Sequence, residues 1–303
     1  MDAIQTIALH KRFRRVHAVR DVNLTVETGA VYALMGPNGA GKTTLIKMLM
    51  NLMSPTRGSI HVFAASVGRL EGRGLETIGY VSENQKLPDW MSVGMFLAYC
   101  RAFYPTWDST LEQHLVRRFE LPLKRRLKHL SRGMRMKAAL ASALAFHPKL
   151  IVLDEPLSGL DPLVRDELME SLKERAQETT ALLSSHDLAE IESFSSHIGY
   201  MQSGQLLLSE PKTSVHARFR NVVAVVDVPL AVPPVLPAEW LHFSSSGSTA
   251  QWAETNYDAD RSTARAREIF GAVQLSSASM TLREVFLTMA YKSEASKPNA
   301  EVQ

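Results

Sequence analysis

The sequence predicts an α/β protein: a mostly parallel sheet with an antiparallel β subdomain and an inserted helical subdomain, followed by a small α+β unit. Three observations predict it. Strand-like and helix-like segments alternate up to about residue 212, the mark of a sheet with crossover helices. Leu150-Ile151-Val152-Leu153 is apolar throughout, as a strand buried on both faces of a parallel sheet must be. The composition, 45% hydrophobic and 21% charged over 303 residues, is that of a globular chain long enough for two domains.

The elements follow in order. Val22, Leu24 and Val26 alternate with Asp21, Asn23 and Thr25, giving one strand with a single buried face. Val31 to Met35 is an apolar strand that runs into Gly36-Pro37. Lys42 to Leu52 has helical composition and stops before Ser54-Pro55; Ile60 to Phe63 and Ile78 to Val81 are short strands. From Met91 to Phe146 helix formers dominate, broken at Pro105, Pro122 and Ser131, which defines the helical insert. After Leu153 a helix runs from Pro162 to about Gln177, since proline's missing N–H costs least in a first turn. Thr180 to Leu183 is a strand, Leu188 to Phe194 a short helix, and Gly199 to Leu208 a hairpin turning at Ser203-Gly204.

Composition shifts after residue 212, so the first domain is expected over 1–212 and the second over 213–291. In the second, Val222 to Val228 reads as a strand, Pro229 to Pro237 as a proline-rich segment and Ser244 to Ser248 as a loop. Arg261 to Phe270 and Thr281 to Ala290 read as helices, the latter opened by a Thr281/Glu284 capping box. Residues 292–303 are polar and read as a flexible tail.

Several function classes are excluded. Thirty-four Lys and Arg against 31 Asp and Glu leave +3, too little to argue for a nucleic-acid partner. No apolar run approaches the ~20 residues that span a bilayer; the longest, Ala138 to Phe146, contains Ser142. Met1-Asp2-Ala3 lacks the basic start and apolar run of a signal peptide. With Cys100 alone, neither an intrachain disulfide nor a cysteine zinc cluster can form. A cytoplasmic protein is expected, with any membrane span supplied by another chain.

Gly36-Pro37-Asn38-Gly39-Ala40-Gly41-Lys42-Thr43 matches G-x-x-x-x-G-K-[ST] at each fixed position, after a strand and before a helix. The glycines let successive N–H groups turn inward onto phosphate oxygens, and the helix starting at Lys42 adds its positive end. Lys42 can reach the β- and γ-phosphates, and the Thr43 hydroxyl is an oxygen ligand suited to magnesium. This makes the first domain a P-loop NTPase. Asp154-Glu155-Pro156 closes the apolar strand, which points the acids into the crevice at the strands' carboxyl ends. Asp154 is placed to hold magnesium, and alternation along the strand turns Glu155 elsewhere, toward an attacking water. Further along come Leu130-Ser131-Arg132-Gly133-Met134, Ser158-Gly159-Leu160-Asp161 and Ser185-His186-Asp187.

With these motifs in this order, residues 3 to 212 resemble the ATP-binding subunit of an ABC transporter. The resemblance implies Walker A over Gly36 to Thr44, including Thr44, and Walker B over Leu150 to Glu155. It implies a signature motif over Leu130 to Met134, in which Ser131 and Gly133 contact phosphate, a D-loop ending at Asp161, and a switch histidine at His186. Phe13 stands where the family stacks adenine. The sequence departs from the family at Arg132 and Met134 within the signature, and at Glu83, where a glutamine is usual. Either Glu83 supplies an oxygen to the metal, or a shifted loop uses Gln85. Met280 to Leu287 resembles the helix that closes the C-terminal appendage of some exporter-type subunits.

The resemblance implies a head-to-tail dimer with ATP and Mg2+ between Walker A of one subunit and the signature of the other. Glu155 and His186 would be the catalytic pair, and the helical block from Met91 to Leu130 would dock an integral membrane permease at the cytoplasmic face of the membrane. The alternatives are a non-transport ABC ATPase acting on ribosomes or chromosomes, and a small-molecule P-loop kinase. Against them stand the single Walker A, the lack of long heptads, the signature and His186.

Overall fold

A computed structural model describes residues 1–69, 72–158, 160–175, 179–187, 192, 194–226, 236–271 and 273–295. The chain forms two compact units, Met1–Ser209 and Glu210–Gln303. Most of the helix expected over Leu188–Phe194, Gly159, most of Pro229–Pro237 and the tail beyond Ala295 lie outside the described residues.

The first unit opens with β1 (Asp2–Phe13), β2 (Val16–Val22) and β3 (Thr25–Glu27). The single strand expected through Val22, Leu24 and Val26 is therefore two. Its alternation holds, with all three side chains buried, but β2 pairs with the far half of β1 (Leu9↔Val22) and β3 with the near half (Ile4↔Val26). At the break, side chains replace ladder bonds: Thr6 Oγ1 donates to Val22 O and accepts from Leu24 N, and Asn23 Oδ1 accepts from Ala8 N. β4 (Val31–Met35), buried at every residue, leads through the glycine loop into α1 (Lys42–Leu49). β5 (Arg57–Val62) and β6 (Ala65–Ser66) return to the first sheet, which is antiparallel in the order β2-β1-β5-β6 with β3 on β1.

β7 (Ile78–Ser82) precedes the insert: α2 (Val93–Arg101), α3 (Ser109–Arg118) and α4 (Arg132–Leu144). Each insert helix starts at a side-chain cap, from Ser92, Asp108 and Ser131 respectively, which satisfies N–H groups that a helix start leaves unpaired. β8 (Leu150–Asp154), α5 (Pro162–Lys173), β9 (Thr180–Ser185), β10 (His197–Gln202) and β11 (Gln205–Pro211) complete the unit. Lys137 on α4 and Arg118 on α3 form ion pairs with Glu167 and Glu170 of α5.

The second sheet runs β11-β10-β4-β9-β8-β7, and its last five strands are mutually parallel. Their carboxyl ends therefore share one edge. β10 and β11 join at Ser203-Gly204, both left-handed (φ 50° and 83°), as a two-residue hairpin turn matched to strand twist requires. The core beneath joins Leu34 of β4, Leu45 and Ile46 of α1, Val152 of β8 and Leu182 of β9. Burying such a side chain stabilises by roughly 1.5–3 kcal/mol, which holds the phosphate loop against the sheet.

The second unit contains α6 (Lys212–Arg218), β12 (Arg220–Val226), β13 (Trp240–Ser246), β14 (Thr249–Glu254), α7 (Ala259–Phe270), β15 (Val273–Ser279) and α8 (Leu282–Ala295). Its sheet is antiparallel, β13-β14-β12-β15. Ser244 to Ser246, expected in a loop, continue β13, and the turn is confined to Gly247-Ser248. The serines lie on an edge strand whose outer face is exposed, so their polarity conflicts with nothing. The capping box forms: Thr281 N donates to Glu284 Oε2 at 2.7 Å, and Glu284 N to Thr281 Oγ1 at 3.3 Å. The segment expected to fray from Lys292 is helical as far as Ala295.

Candidate functional site

The site gathers where the parallel strands end. β4 delivers the loop Gly36 to Gly41, β8 delivers Asp154 and Glu155, β9 delivers Ser184 to His186, and β7 delivers Glu83. Gly36 (φ 151°) and Gly41 (φ 108°) adopt backbone that only glycine takes readily. A Cβ at Gly36 would also strike the Met201 carbonyl, and one at Gly41 the Ala18 carbonyl. Gly41 is the N-cap of α1 and offers no side chain to its N–H groups, so these remain available to an anion.

Behind the loop, Lys42 is buried at 5% exposure. Its Nζ donates to Gly36 O at 2.7 Å and Pro37 O at 3.3 Å, and lies 3.1 Å from Glu155 Oε1. The other Glu155 oxygen is 2.8 Å from His186 Nδ1. Glu155 itself is left-handed, φ 52°. The strand stops at Asp154, so this turn, and not the alternation the sequence suggested, swings Glu155 back over the loop. A non-glycine residue in that region costs roughly 1–2 kcal/mol, a strain that concentrates at functional positions.

Asp154 is 3% exposed. Its Oδ1 accepts from Thr43 Oγ1 at 3.1 Å and Ser184 Oγ at 2.8 Å. Burial pushes the Asp154 carboxyl above the ordinary carboxylate range; the Ser184 and Thr43 bonds oppose this, the nearby Glu155 charge adds to it and Lys42 counters it. Ser184 Oγ also accepts from Glu155 N at 3.0 Å, so one hydroxyl orients both acids. Sequence reasoning missed Ser184, because nothing in Thr180 to Ser185 marks one serine from its neighbour before the β8–β9 register sets it opposite Asp154.

A cavity of about 440 Å³ opens over this cluster. It is lined by Asn38 to Thr44, Glu83, Glu155 and Ser203, and by Val16, His17, Ala18 and Arg20 of β2. The β2 wall and Ser203 were not anticipated. Phe13 pairs with Val16 across the β1–β2 hairpin and is 41% exposed, with the Lys11 ammonium 5.1 Å from its ring centre. Phe13 is thus absent from the lining, while its strand partner Val16 is in the wall.

Gly36, Pro37, Asp154 and His186 belong to the cluster without lining this cavity, and Ser131, Gly133 and Asp161 are absent from its lining too. Ser131 caps α4, accepting from Met134 N at 3.2 Å, and Asp161 precedes α5. Glu83 lines the cavity while its carboxylate pairs with Arg132. Gln85 lies outside the cavity, and its Oε1 is 3.4 Å from Ser82 N. Among the described residues no helix is long and apolar enough to cross a membrane.

Residues 19–158 match the family model described as ABC transporter. An uncharacterized ABC transporter ATP-binding protein of Synechocystis sp. is 31% identical over 206 residues, 65% of this chain and 57% of that relative, so the chain spans less than two thirds of its length. A lantibiotic transport ATP-binding protein of Streptococcus pyogenes is 34% identical over 213 residues, 67% of this chain and 88% of that relative. Among solved structures, the ATP binding subunit of an ABC transporter superposes with TM-score 0.66 at 26% identity, covering 71% of this chain and 92% of that one. A chain with a lysine loop and paired acids at one sheet edge, covering 88% of such a relative, belongs to the ABC transporter family.

Proposed function

We propose that this protein is the ATP-binding and ATP-hydrolysing subunit of a membrane transporter, an exporter, and that its first 212 residues carry the whole nucleotide function. It works at the cytoplasmic face of the membrane, where the helical block from Met91 to Leu130 docks an integral membrane permease. It acts as a head-to-tail dimer with a second ATP-binding subunit. The observation that carries this reading is the chain of contacts from Lys42 through Glu155 to His186, set above a glycine loop. The lantibiotic transport relative supports the transport role, and the exporter direction follows from the resemblance of the C-terminal helix.

The residues present fit magnesium. Thr43 Oγ1 and Asp154 Oδ1 are hard oxygen donors 3.1 Å apart, and Mg2+ takes one or two protein oxygens and completes its shell with phosphate and water. Among the described residues no cluster of three His, Cys, Asp or Glu could hold an ion alone. Bound there, the ion would offset charge on the phosphates. Glu83 reaches the same cavity and is the third proposed oxygen.

For a phosphate to take the Lys42 ammonium, the Lys42–Glu155 pair must open, so binding exchanges one anion for another. Glu155 is then free to orient water. It accepts a water proton as the oxygen bonds to the γ-phosphorus and the bond to the β,γ-bridging oxygen breaks, its electrons leaving with ADP. His186 holds the second Glu155 oxygen and contacts the γ-phosphate. Phe13, paired with Val16 of the cavity wall, stacks the base. Ser131 and Gly133 of the second subunit cover the far side of the γ-phosphate, with Asp161 beside them.

The test is Glu155→Gln. The amide cannot take the proton, so turnover falls by roughly 10²–10⁴ while ATP still binds, and size exclusion with ATP and magnesium shows a dimer. Full turnover from a persistent monomer would overturn the assignment.

A further inference from the structure

Two residues that depart from the family pattern, Glu83 and Arg132, meet in the fold. The Arg132 guanidinium pairs with the Glu83 carboxylate across a separation of 49 positions. Main chain fixes Glu83 beside the acidic cluster, because its N–H donates to the Asp154 carbonyl at 3.0 Å. Its side chain lines the large cavity with the phosphate loop, and also a second one of about 210 Å³ with Arg132 and Arg135. Glu83 thus puts a negative charge at the wall of the space assigned to phosphate. Arg132 opens α4 directly after the Ser131 cap, which pins its backbone. The neighbouring cations are engaged elsewhere: Arg135 with Asp89 at 2.7 Å, and Lys42 with Glu155 at 3.1 Å.

We infer that Arg132 is a positioning residue that holds and neutralises Glu83, so that the phosphate end of a magnesium nucleotide is accepted in the adjoining cavity. A carboxylate in place of a neutral amide adds like charge beside a polyanion, and a guanidinium in place of a small residue cancels it. The carboxylate alone is unfavourable for phosphate, and the paired guanidinium restores neutrality. The inference rests on reading the cavity as a nucleotide site. The pair is part-exposed, 49% at Arg132 and 25% at Glu83, so its contribution to stability is small, and a purely structural role would leave nucleotide affinity unchanged.

The full-length protein is titrated with ATP at excess magnesium and low ionic strength as wild type, Arg132→Ala, Glu83→Gln and the double variant. Arg132→Ala weakens binding about tenfold, and added salt shrinks the loss. In the Glu83→Gln background the same substitution costs less than about twofold. Arg132→Lys, which keeps the charge, retains most of the affinity. Equal losses from Arg132→Ala in both backgrounds, or none in either, overturn the inference. The nucleotide reading fails separately if wild type and Lys42→Ala bind ATP alike.

Discussion

At the scale of single residues, the candidate site is built from side chains that are one another's partners. Lys42 is nearly sealed, and its ammonium is shared among two loop carbonyls and Glu155. Lys42→Ala removes the charge that a phosphate would take over, so ATP affinity drops by at least about tenfold in a nucleotide titration; unchanged affinity would remove the loop from the binding site. The same substitution leaves Glu155 without its cation, and His186 remains its neighbour. Ser184 has a different task, because its hydroxyl serves both Asp154 and the Glu155 backbone. Ser184→Ala deprives a buried carboxylate of a donor, which costs about 1–3 kcal/mol. The melting temperature falls, and more magnesium is needed for half-maximal ATPase activity because Asp154 is held less firmly. A variant that melts like wild type with an unchanged magnesium requirement would show that Thr43 alone positions Asp154.

At the scale of elements, helix starts are set by local chemistry that can be tested away from the site. Helix α8 begins at a reciprocal cap in which Glu284 accepts from both the backbone and the hydroxyl of Thr281. These bonds favour the charged form, the backbone bond most, and hold the Glu284 carboxyl below its ordinary range. A carboxyl depressed in the native state stabilises the fold fully above its unfolded pKa of about 4.3, and this is lost as pH falls through the lower native value. Glu284→Ala should lower stability by about 1 kcal/mol near neutral pH, the usual size of a lost cap. The wild-type and variant melting curves then converge as the pH falls below the ordinary carboxylate range. Curves that stay equally far apart at both pH values would mean the cap is maintained by shape and not by charge.

At the scale of the whole molecule, the candidate site lies within the first of the two units. Every residue lining the cavity, and every residue assigned to the chemistry, lies before residue 204. The second unit has its own sheet and an aromatic core in which Trp240 stacks on Trp252 with ring centres 4.1 Å apart. A fragment cut after residue 212 keeps β11 at the edge of the first unit's sheet and should fold and bind ATP with wild-type affinity. An unfolded circular dichroism spectrum, or a folded fragment blind to ATP, would show that the second unit is needed to complete the first.

The sequence alone determined whatever depends on neighbours along the chain. The phosphate loop was legible because its fixed residues are contiguous and its glycines answer a local backbone demand. The insert helices were legible from Ser131 and the prolines, the β10–β11 turn from Ser203-Gly204, and the α8 cap from Thr281 and Glu284, since caps and turns are built within a few residues. Tertiary structure decided what depends on register and crossover. Thr25 to Glu27 left the strand before it because β1 offers two separate partners. Ser184 became an orienting residue only when β9 lay beside β8, and Val16 entered the cavity wall only through the β1–β2 hairpin. Glu155 is aimed by a left-handed backbone that its residue type does not announce. Glu83 and Arg132 read in sequence as two unrelated departures; packing of α4 beside the end of β7 makes them one ion pair, because electrostatics acts through space and has no regard for chain distance.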